Sequence, residues 1–206
     1  MMGCMTRILG VDPGTLHCGY AVVEVSAGPG AQKPRYIECG VIELPAQAPI
    51  EHRLKLLAAD LREVIRELRP DELAIECAFA GKNVRSALLL GQARGAILLV
   101  GAEANLPCSE YPPATVKKTV CGNGRAQKSE VQRIVSWLCK LRTPPPTDAA
   151  DAVAIALCHA FHAPSRSISA QASDQATAKR RPRATASRRT AQVRAPKAAP
   201  PARSDR

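Results

Sequence analysis

The chain has 206 residues, with 29 Lys and Arg against 18 Asp and Glu and a formal net charge of +11. That length allows one medium domain and a tail. Residues 1–162 hold 18 basic and 16 acidic side chains, net +2, while residues 163–206 hold 11 and 2, net +9, so any nucleic-acid-binding face on the domain has to be local.

Residues 1–6 read as a flexible extension. Three apolar runs follow, at 7–12, 19–25 and 36–44, separated by turn-rich segments such as Ser26-Ala-Gly-Pro-Gly30. Short apolar runs bounded by turn residues read as strands, and three with short links suggest an antiparallel meander. Residues 50–68 form an amphipathic helix with Leu54, Leu57, Leu61, Ile65 and Leu68 on one face. Arg69-Pro70-Asp71 ends it. Residues 73–76 make a fourth strand. A helix over about 83–103 is apolar nearly all round, with Gly91 and Gly95 four apart, and reads as half core and half interface. Residues 107–111 make a fifth strand. Helices follow over about 114–120 and 127–141, joined by Gly122-Asn123-Gly124. Thr147 caps a last helix that ends near His162. The order predicts an α/β fold with a mixed five-stranded sheet and helices on both faces.

The tail, 163–206, is rich in Ala, Pro, Ser, Arg and Lys. It lacks the apolar surface needed to offset ordering entropy and is expected to be disordered. Eight cysteines include no Cys-x-x-Cys pair, so no zinc spacing is present. There is no signal-peptide pattern. The longest apolar stretch, 87–102, is short for a membrane span and holds Gln92 and Arg94. These features predict a soluble cytoplasmic protein with no membrane association.

Four acids are hard to explain by packing. Asp12 ends the first strand just before Pro13-Gly14-Thr15, and Glu76 ends the fourth. An acid at the tip of a buried strand is costly unless it is paired or binds a cation. Asp148 and Asp151 open the last helix three residues apart, hence on one face. If the first and fourth strands are neighbours, all four carboxylates converge. Mg2+ prefers such oxygen ligands, and two ions about 4 Å apart would neutralise the cluster and grip a phosphate. Taken singly, Asp148 reads equally well as a helix-dipole charge and Asp12 as a turn residue.

Basic residues cluster between the second and third of these acids. From Lys82 to Arg142 there are ten Lys and Arg against three Glu. Lys82, Arg85, Lys117, Lys118, Arg125 and Lys128 are candidates for phosphate contacts, although any one alone is more often a solvated surface charge. Phe79, three residues past Glu76, could stack on an exposed base or simply fill the core. Glu110 reads as a surface acid or as one that supports the site without binding the cation. His159 and His162 lie at least about 12 Å along the helix from Asp151 and are poor ligand candidates.

Several blocks, in order over about residues 7–160, resemble the RuvC Holliday junction resolvases. They are Gly10-Val-Asp12-Pro-Gly-Thr15, Ile75-Glu76-Cys-Ala-Phe79-Ala-Gly-Lys82-Asn83, Leu90-Gly-Gln-Ala-Arg-Gly95, Val116-Lys117-Lys-Thr-Val120, Lys128-Ser129 and Thr147-Asp148-Ala-Ala-Asp151-Ala152. The resemblance implies a ribonuclease-H-like fold over 7–162. It also implies a homodimer that nicks four-way DNA junctions symmetrically in recombination and repair. Asp12, Glu76, Asp148 and Asp151 match the family's catalytic acids and metal ligands, for Mg2+ with Mn2+ able to substitute. Phe79 matches an aromatic near the junction centre, and Lys117 and Lys128 match basic residues that serve DNA. A RuvA–RuvB branch-migration complex is the implied partner. The Cys77-Ala78 pair, the Arg-rich tail and the extension at 1–6 depart from the family pattern.

Two other readings compete. Val11-Asp-Pro-Gly-Thr15 with Gly19 also resembles the first phosphate loop of actin-like ATPases, but the chain is short for two such domains and shows no second loop. A DNA-structure binder with a decayed site is disfavoured because all four acids are present.

Overall fold

The computed structural model describes residues 5–26, 34–77 and 84–162. Strands β1 (Met5–Asp12), β2 (His17–Ser26) and β3 (Arg35–Glu43) form the expected antiparallel meander. β4 (Glu72–Glu76) then pairs with β1 in parallel, and β5 (Cys108–Tyr111) pairs with β4 in parallel. The sheet order is β3-β2-β1-β4-β5. The parallel pairs require crossovers, and helices supply them.

Alternation along the strands sends successive side chains to opposite faces. Leu9, Val11, Leu73 and Ile75 face a layer made by α1 (Ile50–Leu68) and α2 (Val84–Glu103). Ile8, Ala21, Val23 and Ala74 face a layer made by α3 (Pro113–Cys121), α4 (Lys128–Leu138) and α5 (Thr147–His162). Helices therefore cover both faces of the mixed sheet. Burying a Leu or Ile side chain contributes about 1.5–3 kcal/mol each, so Ile8, Leu9, Leu57, Leu61, Leu73 and Ile75, all fully buried, form the main apolar ballast.

α1 ends as its sequence suggests. Arg69 takes a left-handed conformation, φ 47°, and its N–H bonds the Ile65 carbonyl. Pro70 cannot continue the helix. α5 lies between the sheet and α3 and α4, with eleven of its sixteen residues buried, which makes it the central helix. Its small residues let it lie close to the strands. An added Cβ on Gly10 of β1 would collide with the Ala152 carbonyl oxygen, and one on Gly19 of β2 with the Asp148 carbonyl oxygen. These two glycines let the first turns of α5 settle onto the sheet.

α2 buries Ala93, Ile97, Val100 and Gly101, while Val84, Leu88 and Leu99 are exposed. This is the half-core arrangement expected of it. By length and composition alone α2 could cross a membrane, contrary to the expectation from its apolar stretch. It packs against α1 and β5. Mid-helix Arg94 is bonded through both Nε and Nη2 to Glu110 of β5, at 3.1 and 2.6 Å.

Of the boundaries that differ from the sequence reading, three have a cause visible in the backbone. β1 starts at Met5, inside the expected extension, because Met5 pairs with Ser26 and Thr6 with Val25. α4 ends at Leu138 rather than near 141, because Lys140 adopts φ 52° and the Leu141 N–H turns back to the Ser136 carbonyl. The first bond of α5 runs from the Ala150 N–H to the Pro146 carbonyl. Pro146 thus holds the cap position expected for Thr147.

Candidate active site

β1 and β4 run side by side with Val11 opposite Ile75, so Asp12 and Glu76 are the next residues at the same level. Side chains two apart share a sheet face. Gly10 touches α5, so Asp12 points to the α5 side, and Glu76 follows Ala74 to the same side. α5 begins here. Because Gly19 admits its first turn, Asp148 and Asp151 arrive above the tips of β1 and β4. One carboxylate oxygen from each of Asp12, Asp148 and Asp151 lies within 4.8 Å of the others. All three are half-buried, as is Glu76.

The electrostatics match that crowding. Asp12 is pushed up to about 7, first by burial and then by repulsion from Glu76, Asp151 and Asp148, with Lys128 opposing. Burial and the charge of Asp151 also raise Glu76, against the pull of Lys117 and Lys128. Burial raises Asp151, while Lys128 and Lys117 lower it. Lys128 Nζ stands 3.4 Å from Asp151 Oδ2. Burial lowers the Lys128 ammonium, and the acids Asp151, Asp148 and Asp12 more than reverse this. Burial first, and then repulsion among the acids, raises Asp12, Glu76 and Asp151, and a carboxylate cluster of this kind has the donor chemistry for a hard divalent cation, whose charge offsets that repulsion. Asp12, Asp148 and Asp151 could hold it directly, with Glu76 at the edge of the same cluster.

Lys117 of α3 and Lys128 of α4 are brought to the acids. Lys118 is not. It lines an open groove of about 640 Å3 between α3 and the end of α5, with Ala114, Thr115, Thr119, Phe161 and His162. Arg125 is exposed in the turn before α4, where its N–H bonds the Asn123 side chain at 3.0 Å. Arg85 is exposed at the start of α2. Phe79 and Lys82 lie outside the described residues. Glu110 is the surface acid expected, ion-paired to Arg94. Neither histidine reaches the acids. His162 Nδ1 bonds the Cys158 carbonyl at 2.7 Å, and His159 bonds Glu72 and Tyr111.

Sequence reasoning missed Arg53. Its Nη1 donates to the Thr15 carbonyl at 3.0 Å and steadies the loop directly after Asp12. Position 53 sits among the charged residues of α1, with no sequence signal pointing to a loop 38 residues earlier. It also gave no supporting role to Gly10 or Gly19, whose task depends on a helix more than a hundred residues away in sequence.

Comparison with known proteins agrees with this geometry. Residues 8–159 match the family model described as crossover junction endodeoxyribonuclease RuvC. A crossover junction endodeoxyribonuclease RuvC of Halorhodospira halophila is 46% identical over 158 residues, covering 77% of this chain and 92% of that protein. One from Chloroflexus aurantiacus is 47% identical over 159 residues, covering 77% and 94%. The Thermus thermophilus RuvC solved with a Holliday junction substrate superposes with a TM-score of 0.70 at 37% identity, covering 77% of this chain and 95% of that one. With that fold, and with Asp12, Asp148 and Asp151 gathered at the tips of its central strands beside Glu76, the chain belongs to the RuvC family of crossover junction endodeoxyribonucleases, in the ribonuclease-H-like fold.

Proposed function

We propose that this protein resolves four-way DNA junctions by paired symmetric nicks in recombination and repair. The observation that carries the reading is the convergence of Asp12, Asp148 and Asp151 within 4.8 Å at one end of the sheet, in a chain of this family. Asp12, Glu76, Asp148 and Asp151 are the catalytic acids and the ligands of Mg2+, with Mn2+ able to substitute and two ions per site. Bound there, the cations would activate water and stabilise the leaving oxygen of a phosphodiester. The chain's own residues orient and neutralise. Arg53 holds the loop behind Asp12. Lys117 and Lys128 offset the acids and approach the scissile phosphate strand, and Lys82 and Lys118 contact DNA further out. Phe79 stacks on an exposed base.

A two-fold junction suits a two-fold dimer. The exposed face of α2 supports one. Val84, Leu88 and Leu99 are 72, 65 and 58% exposed, and Gly91 and Gly95 have open space above them, so a second copy can approach closely. The seven described cysteines are free thiols, which suits a cytoplasmic protein. A RuvA–RuvB complex would be the partner that moves the junction. The residue 7–162 segment carries the nuclease, and the +9 tail adds sequence-independent attraction to DNA. Cleavage of a synthetic four-way junction in Mg2+, with linear duplex as the control, tests the activity. Nucleotide hydrolysis without junction cleavage would instead favour the ATPase reading.

A further inference from the structure

His159 plays no part in the site described above, yet it is only 2% exposed. Both ring nitrogens are engaged. Nε2 bonds the Glu72 carboxylate, and Nδ1 bonds the Tyr111 hydroxyl at 2.7 Å. The Tyr111 ring meets the imidazole edge-on, with centroids 5.7 Å apart. Buried polar groups are normally bonded, so satisfaction alone would make this ordinary core.

The partners' positions give it a further consequence. Glu72 opens β4 and Glu76 closes it, four residues apart and on the same face. Tyr111 is paired with Glu76 across the β4–β5 ladder, and its carbonyl accepts the Cys77 N–H at 2.9 Å. On α5, His159 follows Asp148 by eleven residues, about three turns and roughly 16 Å, so the two share a helix face. β4 and α5 therefore meet at two levels: at one end His159 bonds Glu72, and at the other Asp151 stands by Glu76, with Asp148 beside Asp12 and Asp151. Between them Ala149 of α5 lies against Gly19 and Ala152 and Ala156 lie against Gly10. Alanines offer little interlocking against axial sliding, whereas a hydrogen bond is directional.

We infer that His159 is a positioning residue, which with Glu72 and Tyr111 fixes the axial register of α5 on β4 and thereby the spacing of Asp148 and Asp151 from Glu76. The inference rests on the reading of these acids as a divalent-cation site. Its consequence is cation affinity, because groups that orient ligands without touching the ion commonly change affinity by about 10–100-fold.

The test uses the full chain without DNA and measures Mn2+ binding by electron paramagnetic resonance, together with the metal-free Tm. Glu72→Ala is the first variant, since the Glu72 side chain is 33% exposed and its loss opens no core cavity. Mn2+ affinity should fall roughly tenfold, the low end of that range, with only a small Tm loss, because water can enter beside the partly exposed position 72 and bond Nε2. Glu72→Gln keeps an acceptor oxygen for Nε2 and should restore most of the affinity. His159→Leu, which removes both hydrogen bonds and keeps an apolar side chain in the buried site, should weaken binding like Glu72→Ala. Asp12→Asn separates the two claims. If wild type binds Mn2+ and Asp12→Asn does not, while Glu72→Ala binds as wild type, the positioning role is overturned and the metal site stands. If wild type binds no Mn2+, both are overturned. A large Tm loss that tracks the affinity loss, with no rescue by Glu72→Gln, reduces His159 to core packing and also overturns the inference.

Discussion

Asp12 joins strongly unfavourable electrostatics to its proposed chemistry. Changing Asp12 or Asp151 to Asn, or Glu76 to Gln, removes a ligand charge with little change of shape. Cleavage should fall by two orders of magnitude or more, because several kcal/mol of metal-borne stabilisation is at stake and about 1.36 kcal/mol is tenfold in rate. Junction binding should persist, as a gel-shift titration would read. The metal-free protein makes a second prediction. Asp12 is held at about 7 against an ordinary 3.8, so between those values the unfolded chain ionises this group and the folded chain does not. Its contribution to stability is greatest below about 4 and is lost as pH rises toward 7, by a few kcal/mol at most. Glu24 works in the opposite direction in a lower window. Arg35 and Arg7 hold its carboxyl below its ordinary 4.5, so the stability it adds is present above that value and lost as pH falls. Above pH 5 the slope should therefore belong to the acid cluster. Thermal melts from pH 5 to 8 should show wild type losing Tm relative to Asp12→Asn, and Mg2+ should cancel the difference. Parallel melts without Mg2+ would place the strain elsewhere.

At the level of elements, the site depends on how closely α5 approaches β1 and β2. Gly19→Ala would drive a methyl group into the Asp148 backbone. Overpacking of this kind costs about 1–3 kcal/mol, and the collision here is with main chain, so the upper end is expected. Urea unfolding should show that loss, and Mg2+-dependent cleavage should fall with it, because Asp148 and Asp151 move with the first turn. An unchanged midpoint would mean α5 does not sit on Gly19. The same elements show what was legible in the sequence. The ends of α1 were readable because its apolar stripe and Arg69-Pro70 are local signals. Asp12 and Glu76 were readable as a pair because both close apolar strands. Glu72, Tyr111 and His159 were not, because each looks ordinary in its own segment and only the β4–β5 register and the antiparallel run of α5 bring them together. The start of β1 was missed because Met5 and Thr6 become strand only through pairing with Val25 and Ser26. Lys118 was grouped with Lys117 by adjacency, yet one helical step of about 100° turns it to the opposite groove.

Across the whole molecule, two features outside the acid cluster make separable predictions. If α2 carries the dimer, Leu88→Glu should shift the protein from dimer to monomer in sedimentation at micromolar concentration, since an interface of this type typically buries about 800 Å2 per partner. A monomeric wild type would remove α2 from that role. Deleting residues 163–206 takes away nine net positive charges. The slope of log affinity against log salt on linear duplex should become shallower, because fewer counterions are released, while junction cleavage should survive. Equal slopes would mean the tail does not touch DNA. The central claim is that Asp12, Glu76, Asp148 and Asp151 form a cation-dependent site for cutting branched DNA. Its most direct measurement is single-turnover cleavage of a synthetic four-way junction by wild type and Asp12→Asn, with Mg2+ and with chelator. Wild type should make paired nicks at symmetric positions in Mg2+ only, and with Asp12→Asn the junction should stay intact and protein-bound. Cleavage that persists in chelator, or in Asp12→Asn at saturating Mg2+, would contradict it.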